Sequence, residues 1–342
     1  MRKRIAILGA GANGGSIGAD LTRAGEDVTL IEQWPAHVEA MRANGLLVNM
    51  PNESIRTDVS VMHLCEVATL RTKFDVVLML MKAYDSGWAA QLIEPYLAHD
   101  GLLVGVQNGM TVDTIAGVVG AHRTLGSVIE ITSMMFEPGV IERHSPPPRS
   151  WFAVGSLSDA TAGREEEVAS LLRNVGSVDV VDNIRAAKWM KLVSNATTLV
   201  TTAVLGLPMV EAADIPEMRQ LMVGSGQEAL DATIGLGNPI LPIFGLPPEA
   251  VSTPGTVVET LLSTLLAGFV MNNSKTTILQ DWIKGRRSEV DDINGLVAST
   301  HRDLGGRAPI NEAVVEFAHR IERGELEPGI GNLEPLRRLA RL

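Results

Sequence analysis

The sequence is poor in cysteine and in positive charge. Its 342 residues contain a single cysteine, Cys65, which excludes a disulfide within the chain and a metal cage of several cysteines. We expect Cys65 to be a small buried residue. The formal net charge is −11 and the sequence pI is about 5.2. This balance argues against a general surface for nucleic acid or anionic membranes, because such surfaces need an excess of Lys and Arg.

Long apolar runs, metal-ligand spacings and common hydrolase motifs are also absent. The apolar stretch 261–271 is interrupted by Ser263, Thr264 and Gly268 and is too short to span a bilayer. The seven histidines show no ligand spacing, so each is expected to be a surface or ordinary core residue. Neither a Gly-x-Ser-x-Gly elbow nor a Gly-Lys-Ser/Thr phosphate loop occurs, which removes the commonest hydrolase classes. The apolar run after the basic residues 2–4 is too short for a signal peptide, which favours a cytoplasmic protein.

The residues that are present predict two domains of different character. With 45% hydrophobic and 20% charged residues, the chain can bury a sizeable core. Alternating strand and helix signals over residues 1–182 predict an α/β domain with a doubly wound sheet, completed over residues 124–155 by antiparallel strands. Beyond it, the strand signals almost vanish, so residues 183–342 are predicted to be a helical domain.

The helical domain is predicted to contain long helices separated by one unusual loop. Residues 235–255 carry prolines at positions 239, 242, 247, 248 and 254, which indicates a semi-rigid loop rather than a linker between domains. Apolar periodicity predicts helices over residues 184–205, 218–234, 257–271 and 276–304.

The first 32 residues carry the pattern of a dinucleotide-binding turn. The apolar run Arg4–Leu8 is followed by the glycine-rich residues 9–14 and a helical segment, which indicates a strand, a turn and a helix. A second strand over residues 27–31 ends in Glu32, close to the offset of about 20 residues at which an acid meets a ribose. Because these features coincide, we predict a site for a nicotinamide or flavin dinucleotide rather than an ordinary turn.

Each residue of the turn has its own expected role. Gly9 permits the tight turn, Gly11 lets the backbone approach a pyrophosphate, and Gly14 lets the helix pack closely on the strand. The unpaired N–H groups around Ala12 and Asn13 would then face the phosphates.

Polar residues also follow later strands of the predicted sheet. Gly9 and Glu32 follow the first two strands, and Lys82 and Asn108 each follow a later apolar run. Ligands of open α/β sheets collect at the carboxyl ends of the strands, so these four residues are expected to line one crevice.

A lysine lies in an otherwise apolar helix of the second domain. Lys191 and Asn195 are four residues apart and therefore share a face, which Leu199 continues. If Lys191 points inward, burial would suit it to act as a general acid. The alternative is a lysine whose stem covers apolar surface at the rim of the helix, and periodicity alone does not decide between the two.

Two further polar residues, Thr277 and Glu289, lie twelve positions apart. On one continuous helix they would be separated by roughly 18 Å, so one small substrate could not touch both. We expect them to serve different ligands or different ends of one complex, unless they belong to a solvated helix face.

Taken together, the motifs resemble those of the ketopantoate reductase (2-dehydropantoate 2-reductase) family. The matching segments run in order through most of the chain. They are the glycine turn, Lys82-Ala83-Tyr84, Gln107-Asn108-Gly109, Trp189-Met190-Lys191-Leu192 with Asn195, and Leu279-Gln280-Asp281 followed by Arg287-Ser288-Glu289-Val290-Asp291.

The resemblance implies an N-terminal Rossmann domain and a helical C-terminal domain like that of 6-phosphogluconate dehydrogenase. It also implies hydride transfer to a 2-keto acid in the cleft between them, as in pantothenate biosynthesis. By this analogy Lys191 is the proton donor. The implied contacts are Asn108, Asn195 and Thr277 for the substrate, and Lys82, Asn108 and Glu289 for the cofactor.

Two positions depart from the family in the substrate site. Leu199 and Met209 stand where the family has asparagines. Both changes remove hydrogen-bonding groups, so the pocket is expected to be more apolar than one built for the hydroxyl-bearing ketopantoate.

A third departure, at Glu32-Gln33, concerns the cofactor. NADP-dependent relatives carry a basic residue there for the 2′-phosphate, whereas Glu32 can accept hydrogen bonds from both ribose hydroxyls of NAD. We therefore expect NAD(H) to be favoured over NADP(H). The competing possibility is that a cation from elsewhere covers the phosphate, the candidates being Arg2, Lys3, Arg4 and Arg42.

Three functions stay open at this point. One is a reductase of a 2-keto acid, with ketopantoate as one candidate substrate. The second is an NAD-dependent D-2-hydroxyacid dehydrogenase of the same family, and the third is a non-catalytic dinucleotide sensor. An inward Lys191 beside Asn195 favours an enzyme, because a sensor needs no proton source. The expected partner is a small 2-keto acid, with neither nucleic acid nor membrane, and a homodimer is the oligomer considered.

Overall fold

The computed structural model describes residues 2–342, which form two compact units. One unit ends at Arg185, and the other spans Ala186–Leu342. Strands and helices alternate in the first unit, whereas helices and turns build the second. The predicted α/β fold class with a helical C-terminal domain is therefore confirmed.

The elements of the first unit follow the predicted order. Among residues 2–185 the strands are β1 (Arg4–Leu8), β2 (Asp27–Glu32), β3 (Leu46–Met50), β4 (Glu53–Thr57), β5 (Ser60–His63), β6 (Phe74–Met79), β7 (Leu97–Gly105), β8 (Thr124–Glu130), β9 (Ser133–Met134), β10 (Val140–Arg143), β11 (Trp151–Ser156) and β12 (Ser177–Val180). The α-helices are α1 (Ala12–Arg23), α2 (Pro35–Asn44), α3 (Ser86–Ile93), α4 (Val112–Val119) and α5 (Glu165–Leu172).

The larger sheet has the strand order β12-β11-β8-β7-β6-β1-β2-β5. The six neighbouring strands β8, β7, β6, β1, β2 and β5 run parallel to one another, and β11 is antiparallel to β8. Side chains of β1 alternate between two cores, with Ile5 and Ile7 on one face and Ala6 and Leu8 on the other. Burial on both faces explains why the strand reads as a continuous apolar run. The order changes direction at β1, which places a switch point between β1 and β6.

A second sheet, with the order β4-β3-β10-β9, was not predicted. Residues 124–155 were expected to complete the main sheet, but only β8 and β11 do so. Strand β10 instead pairs in parallel with β3, which lies about 90 residues earlier, and antiparallel with β9. Alternating polarity identifies a strand but not its partner, so the local pattern could not reveal this pairing.

Helix α1 packs between the two sheets through glycine-lined faces. A Cβ on Gly15 would lie 2.6 Å from Ile141 Cδ1 of the second sheet, and one on Gly18 would lie 2.8 Å from Leu30 Cδ1 of the main sheet. These distances leave no room for side chains.

A buried ion pair fixes α1 to the second sheet. Arg143 of β10 is fully buried and pairs with Asp20 of α1. Its remaining donors bond the Ser145 carbonyl (2.8 Å), Ser150 Oγ (2.9 Å) and the Val175 carbonyl (3.0 Å). Full pairing matters here because a buried charge that loses its partner costs roughly 3–5 kcal/mol.

The second unit is a helical assembly that begins with the longest helix. In chain order the α-helices are α6 (Ile184–Val204), α7 (Met209–Ala213), α8 (Pro216–Gly235), α9 (Val257–Gly268), α10 (Thr277–Ile283), α11 (Leu296–Asp303), α12 (Pro309–Glu322) and α13 (Leu333–Leu339). Helices α12 and α13 lie beyond the predicted helices.

The predicted helix over residues 276–304 is not continuous. Helix α10 ends at Ile283, Gly285 adopts a left-handed φ of 64°, and a π-helical turn, Asp291–Gly295, precedes α11. A residue with positive φ at a helix end is the usual C-terminal stop. The prediction of one continuous helix was therefore wrong, and the helical rise no longer measures the distance between Thr277 and Glu289.

Cys65 was also assigned wrongly, because its side chain is exposed rather than buried. It lies in the short 3-10 segment Leu64–Thr69 that follows β5. Across residues 2–342, no helix combines the length and apolar character that crossing a bilayer requires.

Candidate functional site

The glycine turn after β1 is shaped by two close backbone contacts. Gly9 has a φ of 95°, and a Cβ there would lie 2.8 Å from the Met81 backbone nitrogen. A Cβ on Gly14 would lie 2.0 Å from the Gly9 carbonyl oxygen, so α1 can approach β1 only through glycine. The chain thus turns sharply enough to aim the start of α1 at the end of β1.

The start of α1 is well suited to an anion. Gly11 precedes the helix, makes no side-chain capping bond, and has no heavy atom within 4 Å of where its Cβ would be. The first turn carries no acidic residue. Backbone N–H groups and the positive end of the helix dipole therefore face an accessible space, the arrangement that binds phosphates. The residues Gly11, Ala12 and Asn13 are half-buried.

Two side-chain contacts hold this turn, and sequence reasoning missed both. Asn13 Oδ1 accepts a hydrogen bond from Ser133 Oγ of β9 (2.5 Å). His37 of α2 is buried, and its Nδ1 accepts from the Gly139 N–H (2.8 Å), so its Nε2–H donates to the Ala10 carbonyl (3.1 Å). Burial lowers the pKa of His37, consistent with a neutral ring. No local signal could identify this histidine, because Gly139 lies about 100 positions away.

Glu32 ends β2 and is 6% exposed, so it is not a solvated acid. Its Oε1 accepts hydrogen bonds from the backbone N–H groups of Gln33 and Trp34, both at 2.9 Å. These bonds orient the carboxylate at the carboxyl end of the strand. The position is the one at which a ribose is bound in doubly wound sheets.

Gln107 organises the neighbouring strand ends. Its Nε2 donates to the Met81 carbonyl (3.0 Å) and to Ser86 Oγ (2.8 Å), and the side chain is 5% exposed. It thereby ties the segment after β6, where Lys82 lies, to the segment after β7, where Asn108 lies. Strands β7, β6, β1 and β2 are adjacent and parallel, so Lys82 and Asn108 lie on the same sheet edge as the glycine turn and Glu32.

In the second unit, Lys191 and Asn195 lie on α6 and are 8% and 1% exposed. This burial excludes a lysine that merely covers the rim of the helix. The helix tolerates its many threonines because their hydroxyls bond carbonyls four residues earlier. These residues are Thr197, Thr198, Thr201 and Thr202.

A single threonine brings the start of α10 to this part of α6. Thr276 Oγ1 donates to the Leu199 carbonyl (2.9 Å) and accepts from the Leu279 N–H (3.3 Å), which caps α10. Thr277 is the first residue of that helix and therefore lies beside the turn of α6 that contains Leu199. Leu199 and Thr277 are thus neighbours in the fold, although they are 78 positions apart in sequence.

A buried amide network supports α6 from behind. The Ala196 carbonyl accepts from Ser225 Oγ (2.9 Å) and from Asn294 Nδ2 (3.3 Å), and Asn294 also donates to Asn311 Oδ1 (2.8 Å). Each of these side chains is fully buried. The network fixes the rotation of α6 and so the direction of Asn195, because a shift would leave buried polar groups unpaired.

Glu289 lies after the break that ends α10, and it is 4% exposed. Burial, and then the charge of Glu289, raise the pKa of the half-buried Asp292 in the π-helical turn. The carboxylates of Glu289 and Asp292 therefore lie close enough to repel each other beside the π-helical turn. Both residues come after the end of α10, whereas Thr277 is at the start of that helix.

Lys188 is a further buried lysine that was not singled out from the sequence. It lies three residues before Lys191 on α6, is 3% exposed, and has its pKa lowered to about 7 by burial. The only sequence signal for its burial is the apolar character of its neighbours, Trp189 and Met190, and these residues also flank Lys191.

We expect Lys188→Met to stabilise the protein more at pH 6.5 than at pH 9.5. Because the folded pKa of Lys188 lies near 7, below the unfolded value of about 10.4, the unfolded chain binds more protons between these values. Wild-type stability therefore rises with pH in that window. The stability difference between variant and wild type should shrink by on the order of 2–3 kcal/mol between the two pH values.

Urea unfolding at both pH values measures the effect. Lys188→Arg is the control, because arginine stays charged at both pH values. The free energy of unfolding of the wild type should therefore rise relative to that of Lys188→Arg as the pH rises. A difference between Lys188→Met and wild type that is constant with pH would contradict the lowered pKa.

Family models cover most of the chain. The model described as ketopantoate reductase PanE/ApbA matches residues 5–156, and its C-terminal counterpart matches residues 183–322. The 2-dehydropantoate 2-reductase of Pyrococcus horikoshii is 27% identical over 310 residues, covering 90% of this chain and 94% of the relative. That of Lactococcus lactis is 26% identical over 332 residues, covering 93% and 98%.

Solved structures show the same fold. A PanE/ApbA family ketopantoate reductase from Ralstonia eutropha JMP134 matches with a TM-score of 0.78 and 25% identity, covering 94% of this chain and 99% of the other. A D-mandelate dehydrogenase with NADH and anilino(oxo)acetate matches with a TM-score of 0.82 and 21% identity over the same shares. On the two family models, which together span most of its length, the chain belongs to the ketopantoate reductase family of oxidoreductases.

Proposed function

We propose that the protein is a nicotinamide-dependent reductase that converts a 2-keto acid into a 2-hydroxy acid. The observation that carries the proposal is the burial of Lys191 beside Asn195 on one face of α6. A dinucleotide sensor has no use for a buried lysine there, whereas a reductase needs a proton source at the developing alkoxide. The enzyme is therefore favoured over the sensor.

The residues of the first unit fit a dinucleotide. The uncapped start of α1, the accessible Gly11 backbone and the oriented Glu32 carboxylate suit a pyrophosphate and a ribose, and Lys82 and Asn108 lie on the same edge. When bound, a nicotinamide cofactor supplies the hydride. We assign the cofactor to the glycine turn, Glu32, Lys82 and Asn108, with Glu289 as a contact from the second unit.

The residues of the second unit would handle the keto acid. In this proposal Lys191 donates a proton to the carbonyl oxygen as negative charge develops there. Asn195 and Thr277 hold the substrate, and Asn108 bonds the same oxygen. The buried network behind α6 keeps Asn195 in one orientation, so the substrate meets a preorganised donor.

The substituent of the keto acid meets apolar side chains in this proposal. Leu199 is half-buried, and Met209 is 5% exposed with its N–H bonded to the Ser274 carbonyl (3.2 Å). Neither can pair with a substrate hydroxyl. This favours a D-2-hydroxyacid dehydrogenase acting on an apolar 2-keto acid over strict ketopantoate specificity. The fold shared with the D-mandelate dehydrogenase is compatible with that proposal.

NADH oxidation against a panel of 2-keto acids tests the proposal. The panel contains ketopantoate, 2-oxo-3-methylbutanoate, 2-oxo-4-methylpentanoate and phenylglyoxylate. We expect turnover, with at least one apolar substrate matching or exceeding ketopantoate in kcat/KM, because an apolar wall cannot satisfy the extra hydroxyl. Tight cofactor binding without turnover of any panel member would favour the sensor.

We expect Lys191→Ala to lower kcat by roughly 10² or more, the usual scale for losing a positioned general acid. Binding of NADH, followed by fluorescence titration, should change little because Lys191 serves the keto acid in this proposal. Lys191→Met keeps the apolar stem and controls for lost packing. A folded Lys191→Met variant with wild-type kcat would remove Lys191 from the chemistry.

The cations that could attract a 2′-phosphate lie elsewhere, which supports NAD(H). Arg2 has its Nη2 3.3 Å from where a Cβ of Gly25 would be, ahead of the start of β2. Lys3 pairs with Glu167, and Arg4 donates to the Lys73 carbonyl (3.1 Å). Arg4 is paired in register with Asp27, the first residue of β2, whereas Glu32 is the last. Five strand residues correspond to roughly 16 Å, beyond the reach of an arginine.

Arg42 is engaged as well. On α2 it forms ion pairs with Glu39 (3.0 Å) and Glu66, and the bond from Glu66 chiefly raises the pKa of Arg42. A 2′-phosphate would have to displace these carboxylates. We therefore propose that NAD(H) is the preferred cofactor.

We expect Glu32→Gln to lower the ratio of kcat/KM for NADH over NADPH by a factor of about 10, the usual effect of one charge-assisted hydrogen bond. Glutamine keeps the acceptor for the Gln33 and Trp34 N–H groups, so the strand end stays intact. Asp27→Asn, which removes an exposed carboxylate at the other end of β2, is the matched control and should leave the ratio unchanged. A wild-type preference for NADPH would refute the assignment.

A further inference from the structure

The proline-bearing loop between α8 and α9 contains a turn with an unexpected residue. The Leu246 N–H bonds the Ile243 carbonyl (3.2 Å), and the two central residues, Phe244 and Gly245, have φ values of 63° and 70°. Turns with positive φ at both central positions favour Asn, Asp or Gly. A phenylalanine there is strained, so its ring must be kept by contacts that outweigh the backbone cost.

Packing holds the ring in one place. Phe244 is 7% exposed, and its ring lies 5.3 Å from that of Phe269 at an interplanar angle of 43°. Ile243 beside it is 1% exposed. Prolines 242, 247 and 248 flank the turn and restrict its backbone. The loop therefore presents Phe244 on a rigid support.

The ring faces the side chain of Lys191. Lys191 Nζ lies 5.2 Å from the centroid of the Phe244 ring, the distance of a cation–π contact, and the lysine is buried. Among the described non-glycine residues, positive φ occurs only at Phe244 and Arg341, so one of the two strained positions touches the lysine. Backbone strain of this kind concentrates where a side chain must be aimed.

This geometry reaches the substrate if the proposed function holds. A carbonyl oxygen that receives a proton from Lys191 lies about 3 Å from Nζ, and its carbon lies about 1.2 Å further. The ring centroid is 5.2 Å from the same nitrogen. A carbonyl that approaches Nζ at roughly 60° to the direction of the ring therefore has its carbon about 5 Å from the ring centroid, and its substituent lies in van der Waals contact with the ring.

We propose that Phe244 determines substrate specificity, forming with Leu199 and Met209 an apolar wall for the substituent of the 2-keto acid. The substrate class is then a 2-keto acid with an aryl or branched aliphatic substituent and no hydroxyl. The ring also holds the ammonium of Lys191 toward that wall. This inference rests on the proposed function and deepens it.

The test compares kcat/KM for phenylglyoxylate and ketopantoate, with NADH and the full-length protein. Phe244→Gly removes the ring and suits the positive φ, so lost selectivity is not caused by a lost turn. We expect the ratio of phenylglyoxylate to ketopantoate to fall by a factor of roughly 10 or more, mainly through a higher KM for phenylglyoxylate. Phe244→Tyr, which keeps the ring, should retain the ratio within about threefold.

Phe269→Leu is the matched control. It replaces the buried aromatic residue behind Phe244 and is expected to lower the melting temperature without changing the ratio beyond about threefold. An unchanged ratio in folded Phe244→Gly, or an equal fall in Phe269→Leu, overturns the inference while leaving the reductase activity in place.

A wild type that turns over no member of the 2-keto acid panel refutes the proposed function separately. Calorimetric binding of phenylglyoxylate in the presence of NADH then decides the role of Phe244. Binding weakened at least tenfold in Phe244→Gly supports the wall, and equal binding, or none to either protein, overturns it.

Discussion

The contact between Gly14 and the Gly9 carbonyl determines where α1 begins, and the first unit depends on that position. A side chain at Gly14 would overlap the carbonyl, so the helix would move away from β1. The same helix is confined on its other side, where Gly15 lies against the second sheet and Asp20 pairs with Arg143. Two sheets thus clamp one helix, and its uncapped start is held at the sheet edge rather than floating on a loop. Precision of this kind is what a phosphate site built from backbone N–H groups requires.

The second unit adds buried polar bonds to close helix packing, in which a Cβ on Gly226 of α8 would lie 2.1 Å from Thr197 Oγ1 of α6. Helix α6 is buried along most of its length, and apolar packing alone would permit it to rotate or slide. The Ala196 carbonyl, held by Ser225 and Asn294, removes that freedom, because any other rotation would bury unpaired groups. The direction of Asn195 follows from the same bonds. The ammonium of Lys191 faces the Phe244 ring, and this cation–π contact offsets part of the cost of its burial.

Local patterns predicted the regular elements well and the nonlocal pairings poorly. The strand before Gly9, the strand ending at Glu32 and the long helix carrying Lys191 all lie where periodicity and the glycine turn placed them. The second sheet was missed because β10 finds its partner about 90 residues away, and pairing energy across that distance leaves no local trace. The helix over residues 276–304 was predicted too long because a single glycine within a periodic segment does not reveal the left-handed φ that Gly285 adopts.

Local sequence patterns were enough to predict the kind of protein and most of the residues proposed for its chemistry. Glycine spacing, a terminal acid and a lysine one turn before Asn195 are local features, since each depends only on the geometry of a turn, a strand or a helix. The burial of Lys191, the bond from His37 to the glycine turn and the contact of Phe244 with the lysine emerge only from the folded chain. Burial and contacts of this type depend on which distant segments pack together. That packing is a property of the whole fold, and no window of the sequence contains it.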